Sequence, residues 1–347
     1  MMRLPDFEFV MPATLEEAAR VLAASSGTAM LLAGGTDLIP NMKRRQQMPR
    51  TVIGLSQLAE LREIRNTGGW TIGAGATLTS IVRHHPLREA CPGLWQAATQ
   101  IATPLLQNMG TVGGNLCLDT RCTYYDQSED WRKAIGYCMK KDGSTCWVAT
   151  ASSTCLAVSS TDLAPMLIAL GARVRLVSTS GDRTIDVADL YENDGMRYLT
   201  RRANEILADV TVADQRGWRS AYWKLRRRGS FDFPVASAAV AIKCDPAGRV
   251  LDVRIVVGAV ASRPMVVSNA AEILVGHVLT DDRVALAADA AYDVAKPMDN
   301  TDFELHWRKK MIRPLVRSAL REVRGDDVRD ERMRLARRSL LATTEAM

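Results

Sequence analysis

Leu32-Ala33-Gly34-Gly35-Thr36-Asp37-Leu38 and Gly110-Thr111-Val112-Gly113-Gly114-Asn115 are two paired-glycine turns that share one chemistry. A short apolar run, Ala29 to Ala33, feeds the first. Paired glycines let backbone N–H groups approach an anion without interference from Cβ. Successive N–H groups in such a turn make a nest for phosphate oxygens. Thr36 adds a hydroxyl donor. Asp37 is an odd neighbour for a pyrophosphate and better suits a sugar hydroxyl or a role in holding the loop. Two such turns can clamp a dinucleotide from two sides. Taken singly, each also reads as a tight turn, the default use of glycine. Neither is GxGxxG and neither runs into GK[ST], so Rossmann and Walker sites are not indicated.

Working outward, Thr14-Leu-Glu-Glu17 fits a capping box. Leu15, Ala18, Ala19 and Leu22 then recur at helical spacing. With strands at Ala29–Ala33 and Thr51–Leu55 this gives a small β-α-β-like unit, residues 1–55. A second unit, 56–216, holds the strand ending in Gly73-Ala-Gly-Ala-Thr77, helices near Leu78–His84 and Gly93–Ala102, an apolar run at Leu163–Leu170, and a strand at Glu205–Val212. It also holds a hairpin turning at Ser180-Gly181-Asp182. From 217 to 325 three strand-like runs, the last two joined by Asp245-Pro-Ala-Gly248, precede helices at Val267–Val275, Asp281–Ala295 and Phe303–Val323. Strands followed by helices suggest a separate α+β domain. Residues 326–347 form a basic tail.

Between Cys117 and Cys155 lies a polar, aperiodic stretch with Cys122, Cys138, Cys146 and Cys155 inside it. An irregular loop of this length inside a domain tends to be functional. Four thiolates suffice for a [4Fe–4S] cluster or a tetrahedral zinc. The spacing, x15, x7 and x8, matches neither the close pairs of zinc sites nor the usual ferredoxin runs. Free thiols, behaving as small hydrophobes, are the third reading. Cys117 is a fifth candidate ligand. Tyr124, Tyr125, Trp131, Tyr137 and Trp147 would shield a cluster from water. Cys91 and Cys244 stand apart; Cys244 ends an apolar run and reads as buried. The four histidines have no triad-like or HExxH setting.

The bulk numbers are those of an ordinary globular protein: 347 residues, 47% hydrophobic, 24% charged, formal net charge +6. No apolar run is long enough to cross a membrane. The N-terminal stretch lacks a secretory pattern, and a cytoplasmic location is expected. Seven cysteines are too few for a disulfide scaffold. Nucleic-acid motifs are missing. The late basic segments read as a solvated helix face or as a docking surface for an acidic partner such as a ferredoxin.

Taken together, AGGTDL (33–38), GAGATL (73–78), GTVGGNL (110–116), STDLAP (160–165), AYWK (221–224) and DFP (232–234) resemble the FAD-binding subunit of the molybdenum hydroxylase (xanthine dehydrogenase) family. The cysteine insert resembles the branch represented by the β subunit of 4-hydroxybenzoyl-CoA reductase. The resemblance implies an α+β fold of the vanillyl-alcohol-oxidase/p-cresol-methylhydroxylase type. FAD would lie between two small α+β subdomains, closed by a C-terminal domain with a three-stranded antiparallel sheet and helices. It further implies that Leu32–Leu38 (Leu32, Ala33, Gly34, Gly35, Thr36, Asp37, Leu38) and Gly110–Asn115 (Gly110, Thr111, Val112, Gly113, Gly114, Asn115) hold the FAD, supported by Thr77 and Asn108. Asp162 would face the flavin or its ribityl hydroxyls. Leu207 would pack near the adenine or ring system, and Lys224 near the isoalloxazine, where a cation stabilises reduced flavin. Residue chemistry alone leaves Asp162 as a helix N-cap and Lys224 as a surface strand residue. The four cysteines would ligate a [4Fe–4S] cluster.

The implied function is an electron-transfer subunit with no catalytic residue of its own. Partner subunits would carry the molybdenum cofactor and [2Fe–2S] clusters in a heterotrimer or its dimer, with ferredoxin as electron donor for removal of a phenolic hydroxyl from an aryl-CoA thioester. Rival readings are a hydroxylase of an aromatic heterocycle or aldehyde with reversed flow, a flavin-free zinc scaffold, and a self-sufficient flavin oxidase.

Overall fold

Three β-sheets organise the chain. The structure, a computed structural model, describes residues 3–229 and 231–341, with side chains described to 335; of the basic tail, 342–347 lie outside the described residues. The first sheet is parallel, in the order β1-β3-β2: β1 (Glu8–Val10), β2 (Ala29–Leu32) and β3 (Thr51–Gly54), with α1 (Leu15–Ala24) and α2 (Leu38–Lys43) as connections. The N-cap half of the capping box forms as expected, while its Glu returns to the residue before the cap. Thr14 Oγ1 accepts the Glu17 N–H at 3.1 Å, and Glu17 reaches back to the Ala13 N–H at 2.7 Å. Side chains alternate across β3: Ile53 packs with α1, while Val52 packs with Leu38 and Met42 of α2. β1 was not expected; three residues, two of them exposed, carry no alternation to detect.

The second sheet is antiparallel, in the order β4-β5-β8-β6-β7. Its strands are β4 (Ile64–Asn66), β5 (Gly69–Gly73), β6 (Arg173–Ser178), β7 (Gly181–Asp186) and β8 (Ile206–Ala213). The hairpin turns one residue early, with Gly181 at φ +116° opening β7. Between β5 and β6 come α3 (Leu78–Arg83), α4 (His85–Ala90), α5 (Pro92–Thr99), α6 (Pro104–Gln107), α7 (Val112–Leu116), α8 (Glu129–Ala134) and α9 (Leu163–Ala169). α8 is regular structure inside the cysteine stretch, started where Ser128 Oγ accepts the Trp131 N–H at 3.3 Å. Leu15, Ala18 and Leu22 of α1 also pack on Val177, Ile206 and Ala208, which joins the first sheet to the second.

The third sheet, β12-β11-β10-β9, is antiparallel. It comprises β9 (Trp218–Leu225), β10 (Ala236–Cys244), β11 (Val250–Gly258) and the two-residue β12 (Met265–Val266), a strand beyond the three expected and too short to show in the sequence pattern. α10 (Ala270–Leu274), α11 (Asp281–Val294), α12 (Leu305–Arg324) and α13 (Arg329–Leu341) follow. The uniform apolar run of β10 has a simple cause. Ala238, Val240 and Ile242 enter the core under α11 and α12, whereas Ala239 and Ala241 enter the core of the second sheet. A strand buried on both faces has no polar side to show. Cys244, expected to be buried, is only partly so, at the strand's end; Cys91 is fully buried.

Arg308 of α12 ties this layer down. Its fully buried guanidinium donates to Val235 O (3.0 Å), Met298 O (2.8 Å) and Ala259 O (2.7 Å), and burial lowers its pKa to about 10. Removing the donor leaves these buried carbonyls unsatisfied, at about 1–3 kcal/mol each. Arg308→Met is therefore expected to lower the melting temperature by several degrees in calorimetry, and an unchanged melt would contradict this role.

Candidate functional site

The two glycine turns meet directly. A Cβ added to Gly34 would stand 1.8 Å from Met109 O and 3.0 Å from Gly110 N. A Cβ on Gly110 would lie 3.7 Å from Thr36 Oγ1. Only hydrogen at Gly34 permits this backbone contact, and Gly35, at φ +72°, takes the left-handed turn that follows. The N–H groups of Gly34, Gly35, Thr36 and Asp37 have no partner among the described residues. They are the free donors of the site.

The second turn differs from the expectation that it repeats the first. Val112 N–H donates to Ala76 O (3.0 Å), Gly113 N–H to Ala74 O (2.8 Å), Gly114 N–H to Thr111 Oγ1 (3.1 Å) and Asn115 N–H to Thr111 O (2.9 Å). Its donors close a strand-like pairing with residues 74–78 and start α7, so this turn supplies shape more than free N–H groups. The glycines of GAGATL serve a different packing, against Leu61: a Cβ on Gly73 would stand 2.2 Å and one on Gly75 3.0 Å from Leu61 O. Thr77 caps α3 through Ser80 N–H at 3.1 Å, and Asn108 accepts from Thr79 Oγ1 at 2.8 Å.

Asn115 connects the second turn to a buried ion pair. Its Oδ1 accepts from Thr161 Oγ1 (2.7 Å) and from Leu163 N–H (3.0 Å) at the start of α9. Asp162 occupies the N-cap position, yet its side chain does not cap. It accepts instead from Lys224 Nζ at 3.0 Å and from the Tyr222 hydroxyl at 2.7 Å, and Lys224 also donates to Gln100 O at 2.9 Å. Lys224 is no surface residue: its side chain is 0% exposed, because it shares with Tyr222 the face of β9 turned toward α5 and α9. Burial pushes the Asp162 carboxyl up and the Lys224 ammonium down, each opposed by the partner charge. Leu207 lies in the core of the second sheet.

Asp37 finds its partner in the cysteine stretch. Arg121 pairs with Asp37, with Asp126 at 3.4 Å, and stacks 4.3 Å from the ring centre of Phe233 in the DFP element. Asn41 Nδ2 also donates to Asp37 at 3.1 Å. Burial raises the Asp37 pKa against the pull of Arg121. Three parts of the chain thus converge beside the free N–H groups. Arg121 was missed in the sequence because nothing local links positions 37, 121 and 233.

The four cysteines come together. Cys122, Cys138 and Cys155 pack with Tyr125 and Ala157 in one small buried cluster. Cys146 is buried and within electrostatic reach of both Cys122 and Cys155. Burial pushes Cys122 up to about 12 and Cys155 up to about 11, with the neighbouring thiols adding to the rise. Cys117 instead packs against the core of the second sheet, which separates it from the four. Of the expected aromatic shield, Tyr125 is buried, but Trp131 and Trp147 are 40% and 39% exposed. Among the described residues no group of three or more His, Cys, Asp or Glu is placed to hold a single metal ion. No helix of the described residues is long and apolar enough to cross a membrane.

Comparison with known families places this arrangement of α+β layers in a flavin-binding class. Residues 5–213 match the FAD binding domain in molybdopterin dehydrogenase, and residues 220–323 match the CO dehydrogenase flavoprotein C-terminal domain. The chain belongs to this family of FAD-binding components of molybdenum-type oxidoreductases. It is 28% identical to the nicotinate dehydrogenase FAD-subunit of Eubacterium barkeri, over 93% of this chain and 99% of the relative. It is 29% identical to the aldehyde oxidoreductase FAD-binding subunit of Escherichia coli, over 84% and 91%. A solved carbon monoxide dehydrogenase chain from Hydrogenophaga pseudoflava superposes with a TM-score of 0.75 at 26% identity, covering 92% of this chain and 97% of that one.

Gly34→Ala is expected to force the two turns apart and remove most of the bound flavin, read as visible absorbance per protein; wild-type flavin content would contradict the cradle. Lys224→Met leaves Asp162 buried and unpaired, at a cost of about 3–5 kcal/mol. Denaturant unfolding should show that loss, with part of it recovered in Lys224→Met/Asp162→Asn.

Proposed function

We propose that this chain is the electron-transfer subunit of a heteromeric molybdenum enzyme, holding FAD at the glycine cradle and a [4Fe–4S] cluster at Cys122, Cys138, Cys146 and Cys155. The gathering of four buried thiols, three of them in one packed cluster, carries the second half of this reading. When bound, the flavin exchanges electrons in pairs or singly and the cluster singly. The chain's own residues do the holding. Gly34 to Asp37 present free N–H groups to phosphate, and Thr36 adds its hydroxyl. Leu32, Ala33 and Leu38 flank them, and Gly110 to Asn115 close the cradle from the other side. Thr77 and Asn108 stiffen that side, Leu207 lines its core, and Asp162 and Lys224 fix the third layer against it. The units are proposed as residues 1–55, 56–216 and 217–325.

Partner subunits bearing the molybdenum cofactor and [2Fe–2S] clusters complete the enzyme. Relatives described as an FAD-subunit, an FAD-binding subunit and a medium chain support that organisation. The cysteine insert favours an enzyme like 4-hydroxybenzoyl-CoA reductase, fed by ferredoxin and reducing an aryl-CoA thioester. A second reading keeps this architecture in a dehydrogenase of a heterocycle or aldehyde; the nicotinate and aldehyde enzymes among the relatives favour it.

The two readings differ in direction. The complex should either reduce a 4-hydroxyaryl-CoA with reduced ferredoxin or oxidise nicotinate-like or aldehyde substrates with an artificial acceptor. Oxidation alone would discard the reductase reading. Cys146→Ala should lose its iron, since one of four ligands is gone. Full iron retention in that variant would contradict the ligand set.

A further inference from the structure

Lys140 stands two residues beyond Cys138, and its side chain is only 6% exposed. Its ammonium donates to Asp119 Oδ1, Thr120 Oγ1 and Gly195 O, each at 2.7 Å. An ammonium has three donors, and all three are engaged. The charge is therefore fixed in place rather than swinging on its four-carbon stem. It lies 4.8 Å from the ring centre of Tyr125, which packs in the same buried cluster as Cys122, Cys138 and Cys155. The Gly195 N–H donates to Cys155 O at 2.7 Å, so one glycine holds both the ammonium and the backbone of a cysteine. Asp119, the counter-charge, also accepts from the Tyr125 hydroxyl at 2.9 Å and from Gln47 Nε2 at 3.2 Å.

A buried ion pair is weak evidence for stability, because desolvation offsets its attraction. A fixed charge held against Tyr125, which packs with three of the thiols, has a more direct consequence. A cluster on four thiolates is anionic, and one-electron reduction makes it more so. Net charge is one of the levers on cluster potential.

We propose that Lys140 sets the reduction potential of the group held by the four thiols, its ammonium favouring the reduced state while Asp119 partly cancels that field. The proposal rests on the cluster reading given above. The electron comes from the external reductant, and no bond or proton transfer is involved. Lys140 is thus a positioning charge and not a catalytic residue.

The test is an equilibrium redox titration of the purified complex with dithionite and mediator dyes, following the reduced cluster by electron paramagnetic resonance. In Lys140→Met the reduced-to-oxidised ratio at a fixed potential should fall by about tenfold, a downward shift of about 59 mV for a one-electron couple. Asp119→Asn should shift the midpoint upward, and Lys140→Arg, which keeps the charge, should stay near wild type. A purely structural role would not give opposite signs, since both variants break one ion pair. An unchanged midpoint in Lys140→Met with iron retained, or shifts of the same sign in both variants, would overturn the proposal. If Lys140→Met does not fold, Asp119→Asn decides: an unmoved midpoint there also overturns it. A wild-type complex without iron on this chain overturns the cluster reading itself, and the proposal with it.

Discussion

The contact between Gly34 and the Met109 carbonyl is the constraint on which the site depends. It brings the first parallel sheet and the helices of the second layer within backbone distance. Any side chain at position 34 would separate them. Because the turns meet, the free N–H groups of Gly34 to Asp37 lie next to a turn whose own N–H groups, at 112–115, are already paired. One turn thus supplies donors and the other supplies shape. The asymmetry explains why two similar glycine motifs recur in one chain without duplicating each other.

From that contact two polar systems spread, the first buried and the second half-buried. One runs from Asn115 through Thr161 to Asp162, Lys224 and Tyr222, and ends on the third sheet. The other runs from Asp37 to Arg121 and on to Phe233, with Asp126 beside it. Hydrogen bonds from Gln46 to Tyr125 O (2.6 Å) and from Arg132 to Arg44 O (2.8 Å) fasten the cysteine insert to the first unit's basic connector. On the other side, Thr123 N–H donates to Asn300 O at 2.9 Å, beside Cys122. The thiol cluster is therefore held from both flanks rather than hanging as a loop. Charges buried this way contribute little net stability when paired and cost much when orphaned. They fix geometry more than they add to the folding free energy.

Much of the fold was legible because it rests on local rules. The capping box at Thr14, the glycine turns and the doubly buried run of β10 each carry their cause in a few neighbouring residues. The motif order from AGGTDL to DFP carried the family. The elements that were missed are short or governed by distant partners. β12 has two residues, and α4 begins at His85-Pro86 with no apolar period of its own. The expected burial of Cys244 failed because an apolar run says nothing of where its strand ends. Within the site, glycine spacing showed two turns but not which of them keeps free donors, since that depends on pairing with residues 74–78. Arg121 and Lys140 carry no motif. Their roles come from Asp37, Phe233 and Gly195, all more than 50 positions away from their partners. The four cysteines were legible as a set, but their separation from Cys117 came only from packing.

The most direct measurement is a count of iron, zinc and flavin on this chain in the complex purified from its native host. One flavin, with four irons per chain beyond those of the partners' [2Fe–2S] clusters, is the result expected from a glycine cradle beside four gathered thiols. A complex carrying flavin but only the partners' iron, or zinc on this chain in place of the cluster, would contradict the account.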